Sequence, residues 1–329
     1  MGAVWARALI LTLIVSLLTV PLTPEAQVPK TPRIGFLGSS GDRAKIRLGA
    51  LEQALRELGY VDGKTVHIEP RYANGDFDKL PALAAELVRL HVDLIVAEGA
   101  PAALAAKRAT ATIPIVMGNA ADPVGTGLVA SLTRPGGNVT GLSDFNEGVV
   151  TKRLELLRDI VGGPVSRVAV LWNPTNPTNP LQMKEIETAA RSMGVALLSL
   201  PVKAPEDIDR AFDAMRKERL DGLLTVGDPM LGTHRRKMAD LAIRNRAPSI
   251  HGTSEYVDAG GLVSYGTNFN ELYRRAAVYV DRILKGAKPA DLPVEQPTTF
   301  ELVVNLKAAR QIGLAIPQSI LYRADRLVQ

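Results

Sequence analysis

From Arg33 onward the chain alternates short apolar runs with longer amphipathic ones. RIGFLG, Arg33 to Gly38, is short and almost unbroken, as a strand covered on both faces requires. Behind it, AKIRLGALEQALRELGY puts Ile46, Ala50, Leu51, Ala54, Leu55 and Leu58 on one face at helical spacing, and Gly59 supplies the stop. The alternation continues with strand TVHIEPRY, helix LPALAAELVRL, strand DLIVA, helix PAALAAKRAT and strand IPIVMG. Repeated strand–helix–strand units predict a parallel sheet with helices on both faces.

A second series follows VTGLSDFNEG. It reads helix VVTKRLELLRDIV, strand RVAVLW, helix NPLQMKEIETAARSMG, strand VALLSL, helix PEDIDRAFDAMRKERL, strand GLLTV, helix GTHRRKMADLAIRNR and a short strand SIHG. The predicted fold class is therefore α/β, with two Rossmann-like lobes. The tail, LVSYG to the C-terminus, holds too little for a third domain, so the chain is expected to return to the first lobe for a long helix over 270–286 and then end on the second. Three crossings predict a hinge of strands near 142–145, 264–267 and 298–301. The expected lobes are 27–143 with 267–297, and 144–266 with 298–329.

The first residues do not belong to either lobe. One arginine, then the apolar run Ala8 to Val20, then PLTPEA, form the layout of a secretory signal peptide over 1–26, with cleavage near Ala26. The run is shorter than the roughly 20 residues that span a bilayer. The 329 residues contain no cysteine, so the chain has no disulfide framework, no thiol nucleophile and no lipid-anchor cysteine. These features predict a soluble periplasmic monomer with no stable membrane insertion after cleavage. The net charge of +5 is scattered, with Arg235 to Lys237 its densest run, and no basic stripe points to nucleic acid. Four separate histidines, at 67, 91, 234 and 251, lack metal-ligand spacing.

NAADPVGTGLVA, Asn119 to Ala130, contains Gly125, Gly127 and Ala130 in the spacing of a dinucleotide-binding turn. In such a turn the glycines follow their strand at once. Here six residues separate Gly118 from Gly125, so no nucleotide cofactor is expected, and the stretch reads as a loop and short helix at the mouth of the first sheet.

Three stretches carry a resemblance: ADPVGTGLVASLTRPGGNVTGLS, GGLVSYGTNFNELYRRAAVYVDRILKGAKPADLPVEQPTTFELVVNLKAARQIGL, and IPQSILYRAD. Over nearly its whole mature length the chain resembles the substrate-binding proteins of ABC transporters, in the group that includes tryptophan and tyrosine binders. The resemblance implies a type I periplasmic-binding-protein fold whose two lobes close on a small ligand, with delivery to a permease driven by a separate ATPase subunit. An amino acid or aromatic acid is the implied ligand.

Ligands of open parallel sheets bind beyond the carboxyl ends of strands. In the first lobe these ends are Ser39 and Ser40, then Glu98, Gly99 and Ala100, then Asn119 to Asp122. Hydroxyls and free N–H groups at helix starts suit a carboxylate, although a serine or aspartate there also serves simply as a cap. In the second lobe the ends are Trp172, Asn173 and Thr175, then Gly227 and Asp228, then Ser254 or Glu255. Asp228 is the expected partner of a ligand amine, with a helix cap as its alternative role. Phe145, Trp172 and Tyr265 are placed to enclose an apolar or aromatic ligand. NPTNPTNP, Asn173 to Pro180, reads as a rigid rim. A ligand-binding partner of a membrane sensor would share every one of these residues. An enzyme is the remaining class, but no G-x-S-x-G, H-E-x-x-H or phosphate loop supports one.

Overall fold

The computed structural model describes residues 31–144 and 148–329; the expected signal peptide and Phe145 lie outside the described residues. Strand β1 (Arg33–Gly38) leads into helix α1 (Asp42–Glu57), and β2 (His67–Tyr72) into α2 (Leu80–Arg89). Next come β3 (Leu94–Glu98), α3 (Gly99–Ala109), β4 (Ile115–Asn119) and the short β5 (Val139–Gly141). These strands form one parallel sheet in the order β2-β1-β3-β4-β5. Alternation within each strand feeds two cores. Ile34 and Phe36 pack with Leu51 and Leu55 of α1 on one face, while Leu37 packs with Leu80 and Leu87 of α2 on the other.

The chain then enters a second layer system. Helix α4 (Val149–Val161) precedes β6 (Arg167–Trp172), α5 (Asn179–Met193), β7 (Ala196–Pro201), α6 (Asp207–Lys217) and β8 (Gly222–Thr225). The expected single helix after β8 is instead two, α7 (Pro229–Thr233) and α8 (Arg235–Arg244), with His234 between them. They are followed by β9 (Ser249–His251), α9 (Ser254–Asp258) and β10 (Val263–Gly266). Helix α10 (Phe269–Leu284) crosses back to the first sheet, where Tyr273, Ala276 and Val280 join the core beside α1. The chain returns for β11 (Glu301–Asn305), α11 (Leu306–Ile312), α12 (Gln318–Arg323) and β12 (Arg326–Val328). The second sheet runs β12-β11-β10-β9-β8-β6-β7, antiparallel only between β10 and β11.

Along the three crossings, regular strand pairing is limited. Leu142 makes a single bridge with Glu295, Thr140 Oγ1 donates to the Leu292 carbonyl at 2.6 Å, and β11 begins only at Glu301. Two local readings change. Asp122 to Val129 forms consecutive turns with no helix: Asp122 Oδ1 accepts from the Gly125 N–H at 2.8 Å, and the Gly127 N–H donates to the Val124 carbonyl. On α1, Ile46 and Leu58 are exposed, while Arg43, Arg47 and Leu48 are buried. The buried stripe is rotated because the helix start faces the second layer system, where arginines meet carboxylates. Among the described residues, no helix is long and apolar enough to cross a membrane.

Candidate functional site

The carboxyl ends of strands from both sheets converge on one cleft of about 800 Å³, its open mouth included. Gly99, Ala100 and Pro101 line it after β3, Asn119 and Ala121 after β4, and Asp144 in the first crossing. From the second system come Arg153 of α4, Asn176 and Thr178 before α5, Asp228 after β8, and Thr253 after β9. Arg43, Arg47 and Phe269 close one end.

That end is an ion cluster. Glu98 is fully buried; its carboxylate accepts from the Ser40 N–H at 2.8 Å, from Ser40 Oγ at 2.5 Å and from Arg47 Nη1. Ser39 Oγ donates to the Glu98 carbonyl at 2.7 Å. Arg47 also reaches Glu255 of α9, with Nη2 3.6 Å from Oε2, and Arg43 Nε donates to the same oxygen. The Arg47 guanidinium lies 4.4 Å from the ring centroid of Phe269, a cation–π contact that covers its face. Burial alone would raise the Glu255 carboxyl, but Arg43 and Arg47 outweigh it and hold it at about 2. Burial pulls Arg47 down in the same way, yet Glu255 and Glu98 keep it above its ordinary value. Two arginines of the first layer system and a glutamate of the second are thereby tied across the cleft.

Beside this cluster, Tyr273 donates its hydroxyl to Asn119 Oδ1 at 2.9 Å, and Asn119 Nδ2 is 3.4 Å from Asp144 Oδ2. Gly118 makes room for this ring, since a Cβ there would collide with it. Burial raises the Asp144 carboxyl, against the Asn119 hydrogen bond and the charges of Arg47 and Arg153. Arg153, 8% exposed, donates its Nε to the Tyr265 carbonyl at 2.7 Å. Burial lowers it to about 10, with Asp144 and Glu185 opposing. A Cβ on Gly252 would stand 3.0 Å from its Nη2, so the glycine keeps space for the guanidinium.

The Asn-Pro-Thr repeat has a specific geometry. Asn173 Oδ1 accepts from the Thr175 N–H and Oγ1, and Asn176 Oδ1 accepts from the Thr178 N–H and Oγ1. These two side-chain turns aim both amides at one acceptor, with Asp228 Oδ2 receiving Asn176 Nδ2 at 2.9 Å and Asn173 Nδ2 at 3.3 Å. Asp228 Oδ1 caps α7 by accepting from the Leu231 N–H at 2.9 Å. Burial raises this carboxyl, and the amide and backbone donors oppose the rise.

Of the residues named at strand ends, Gly99, Ala100, Asn119, Ala121, Gly227 and Asp228 line the cleft. Ser40 and Glu98 stand behind it as anchors of Arg47, Ser39 supports the Glu98 backbone, and Asn173 holds Asp228. Asp122 is taken up by its own turn, at a positive φ of 41°. Trp172 lies away from the cleft with its Nε1 donating to Ser199 Oγ at 2.9 Å, and the Tyr265 ring packs against Phe300 at 5.9 Å. Phe145 lies outside the described residues. Sequence reasoning missed Arg43, Arg47, Arg153 and Phe269. A usable signal was present: Arg47 shares a helical face with Ala44, Leu48 and Leu51, and Arg153 with Val150, Leu154 and Leu157.

Two α/β lobes facing each other across a cleft at their strand ends, with the chain crossing three times, constitute a type I periplasmic-binding-protein fold. The chain belongs to the family described as ABC transporter substrate binding protein, whose sequence profile matches residues 39–328. It is 28% identical over 253 residues to a tyrosine-binding protein of Clostridioides difficile (strain R20291), covering 77% of this chain and 72% of that one. An ABC domain in complex with L-Trp from Streptococcus pneumonia superposes with a TM-score of 0.85 at 27% identity, over 91% of this chain and 100% of the other. The ligand-free, open structure of a substrate binding protein with adhesive properties from Clostridium difficile gives 0.66 at 25% identity, over 91% and 99%. The family and these relatives are binding proteins, and this chain is a substrate-binding protein of an ABC transporter rather than an enzyme.

Proposed function

We propose that the protein works outside the cytoplasmic membrane, takes up a small molecule, an amino acid or aromatic acid, in the interlobe cleft, and delivers it to an ABC permease driven by its ATPase. The observation that carries this reading is the cleft itself, where charged side chains from both lobes meet at strand ends above small residues such as Gly99 and Ala100. The relatives support the ligand class, one named for tyrosine and one holding L-Trp. The higher TM-score to the L-Trp complex than to the open, ligand-free relative supports a closed arrangement, as do the ion pairs tying Arg43 and Arg47 to Glu255. Opening about the three crossings would break those pairs and change the surface offered to a permease.

The test is a thermal-shift screen of residues 27–329 against amino acids, aromatic acids, nucleosides, sugars and nicotinamide cofactors. A ligand at 100 times its Kd adds about 2.7 kcal/mol of stability. Stabilisation by an amino or aromatic acid is the expected result; stabilisation only by a nicotinamide cofactor would overturn the reading.

A further inference from the structure

Most charges around the cleft are neutralised within the protein. Arg43 and Arg47 pair with Glu255 and Glu98, and both oxygens of Asp228 accept N–H donors. Arg47 keeps its charge partners although its Nε and Nη2 make no hydrogen bond, and two further groups stand apart from any ion pair. The Arg153 guanidinium is buried to within 8% and lines the cleft, its Nε is spent on a carbonyl, and no carboxylate among the described residues pairs with it. Asp144 Oδ1 is buried at the same cleft and accepts no hydrogen bond. The two residues feel each other's charge without touching, with Glu185 as the other acid acting on Arg153 and Arg47 as the other cation acting on Asp144.

Resting on the substrate-binding reading above, we infer that Arg153 and Asp144 form a head-group seat that selects ligands carrying both a carboxylate and an ammonium. The ligand carboxylate accepts from the Arg153 Nη groups, and its ammonium donates to Asp144 Oδ1. Charge-assisted bonds of this kind are roughly twice as strong as neutral ones, and a buried charge left unpaired is costly. A simple acid satisfies Arg153 and leaves Asp144 Oδ1 bare; a simple amine does the reverse. Only a zwitterion completes both without adding net charge. Asp228 is not the ammonium seat, because a helix cap and two asparagine amides already occupy its oxygens. Gly252 leaves room for the guanidinium, since a Cβ there would stand 3.0 Å from Nη2.

The experiment is calorimetric titration of residues 27–329 with L-tyrosine, L-tryptophan, L-phenylalanine and L-leucine. Each is compared with its des-amino acid and its decarboxylated amine. The expected result is that at least one amino acid binds and that both of its truncated analogues bind roughly 10- to 100-fold more weakly. In the variants, Asp144→Asn weakens the amino acid but not the des-amino acid, and Arg153→Lys weakens the amino acid but not the amine. The analogue series uses the unaltered chain, so the test stands even where a variant folds poorly. A des-amino acid binding within about threefold of its amino acid overturns the seat. So does a screen in which only sugars, nucleosides or simple acids stabilise the protein, although the binding role then survives. No stabilisation by any compound class overturns both.

Discussion

The two charged regions of the cleft differ in one respect that separates scaffold from site. At the α1 end, two arginines and two glutamates face one another, and Ser40 adds two donors to the Glu98 carboxylate. At the α4 end, Arg153 forms no ion pair with a described carboxylate and Asp144 Oδ1 accepts no hydrogen bond, and both face the same space. Both sets are buried, so the first contributes structure and, on the inference drawn above, the second keeps recognition capacity. On that inference, a buried charge marks a ligand site only where the protein supplies no opposite charge to meet it.

The sharpest way to break this comparison is to unmatch the matched cluster. Arg47→Ala leaves Glu98 buried without its cation and is expected to cost about 3–5 kcal/mol in denaturant unfolding. A loss below about 1 kcal/mol would show that the cluster is no scaffold. Asp228→Asn is a milder change, because it exchanges an acceptor for a partial donor opposite Asn173 and Asn176. It is expected to cost about 1–3 kcal/mol of stability while changing amino-acid affinity by less than about threefold. A large affinity loss with stability unchanged would move the ammonium seat to Asp228.

The last effect is read in the pH dependence of stability. Burial, then the Arg153 charge, holds His251 down to about 3, and its ring is stacked on Tyr256 at 4.5 Å. The imidazole is neutral in the fold and takes up a proton on unfolding below about 6.5. Its contribution is full above that value and lost as the pH falls toward about 3, at up to about 1.4 kcal/mol per pH unit. Glu255 acts in a lower window: its contribution is present above its unfolded value of 4.5 and lost as pH falls toward about 2. Unfolding free energies measured from pH 7 to 5 should therefore decline in the parent protein and flatten in His251→Gln, whereas a parallel decline in both would place the titration elsewhere.

Several parts of this site could be read from residue order because local rules govern them. The strand ends Gly99, Ala100, Asn119 and Asp228 reach the cleft because parallel sheets direct their carboxyl ends that way. The loop holding Gly125 and Gly127 reads in the sequence as including a short helix, and it forms consecutive turns instead. The aromatic residues misled for a different reason. Trp172 ends β6 as expected, but its side chain turns to Ser199 of the neighbouring β7, a choice made by sheet order rather than by its own position.

The chain by itself determined the two series of strands and helices and the set of strand ends available to a ligand. Hydrophobic periodicity specifies these because it acts over a few residues. Only the tertiary structure decided which charges are matched. Arg47 meets Glu98 across 51 positions, and Arg43 meets Glu255 across 212. On an isolated helix those arginines belong on the polar face. They become interior groups only when the fold brings Glu98 of the first lobe and Glu255 of the second to meet them, since desolvating a cation is unfavourable until its partner is in place.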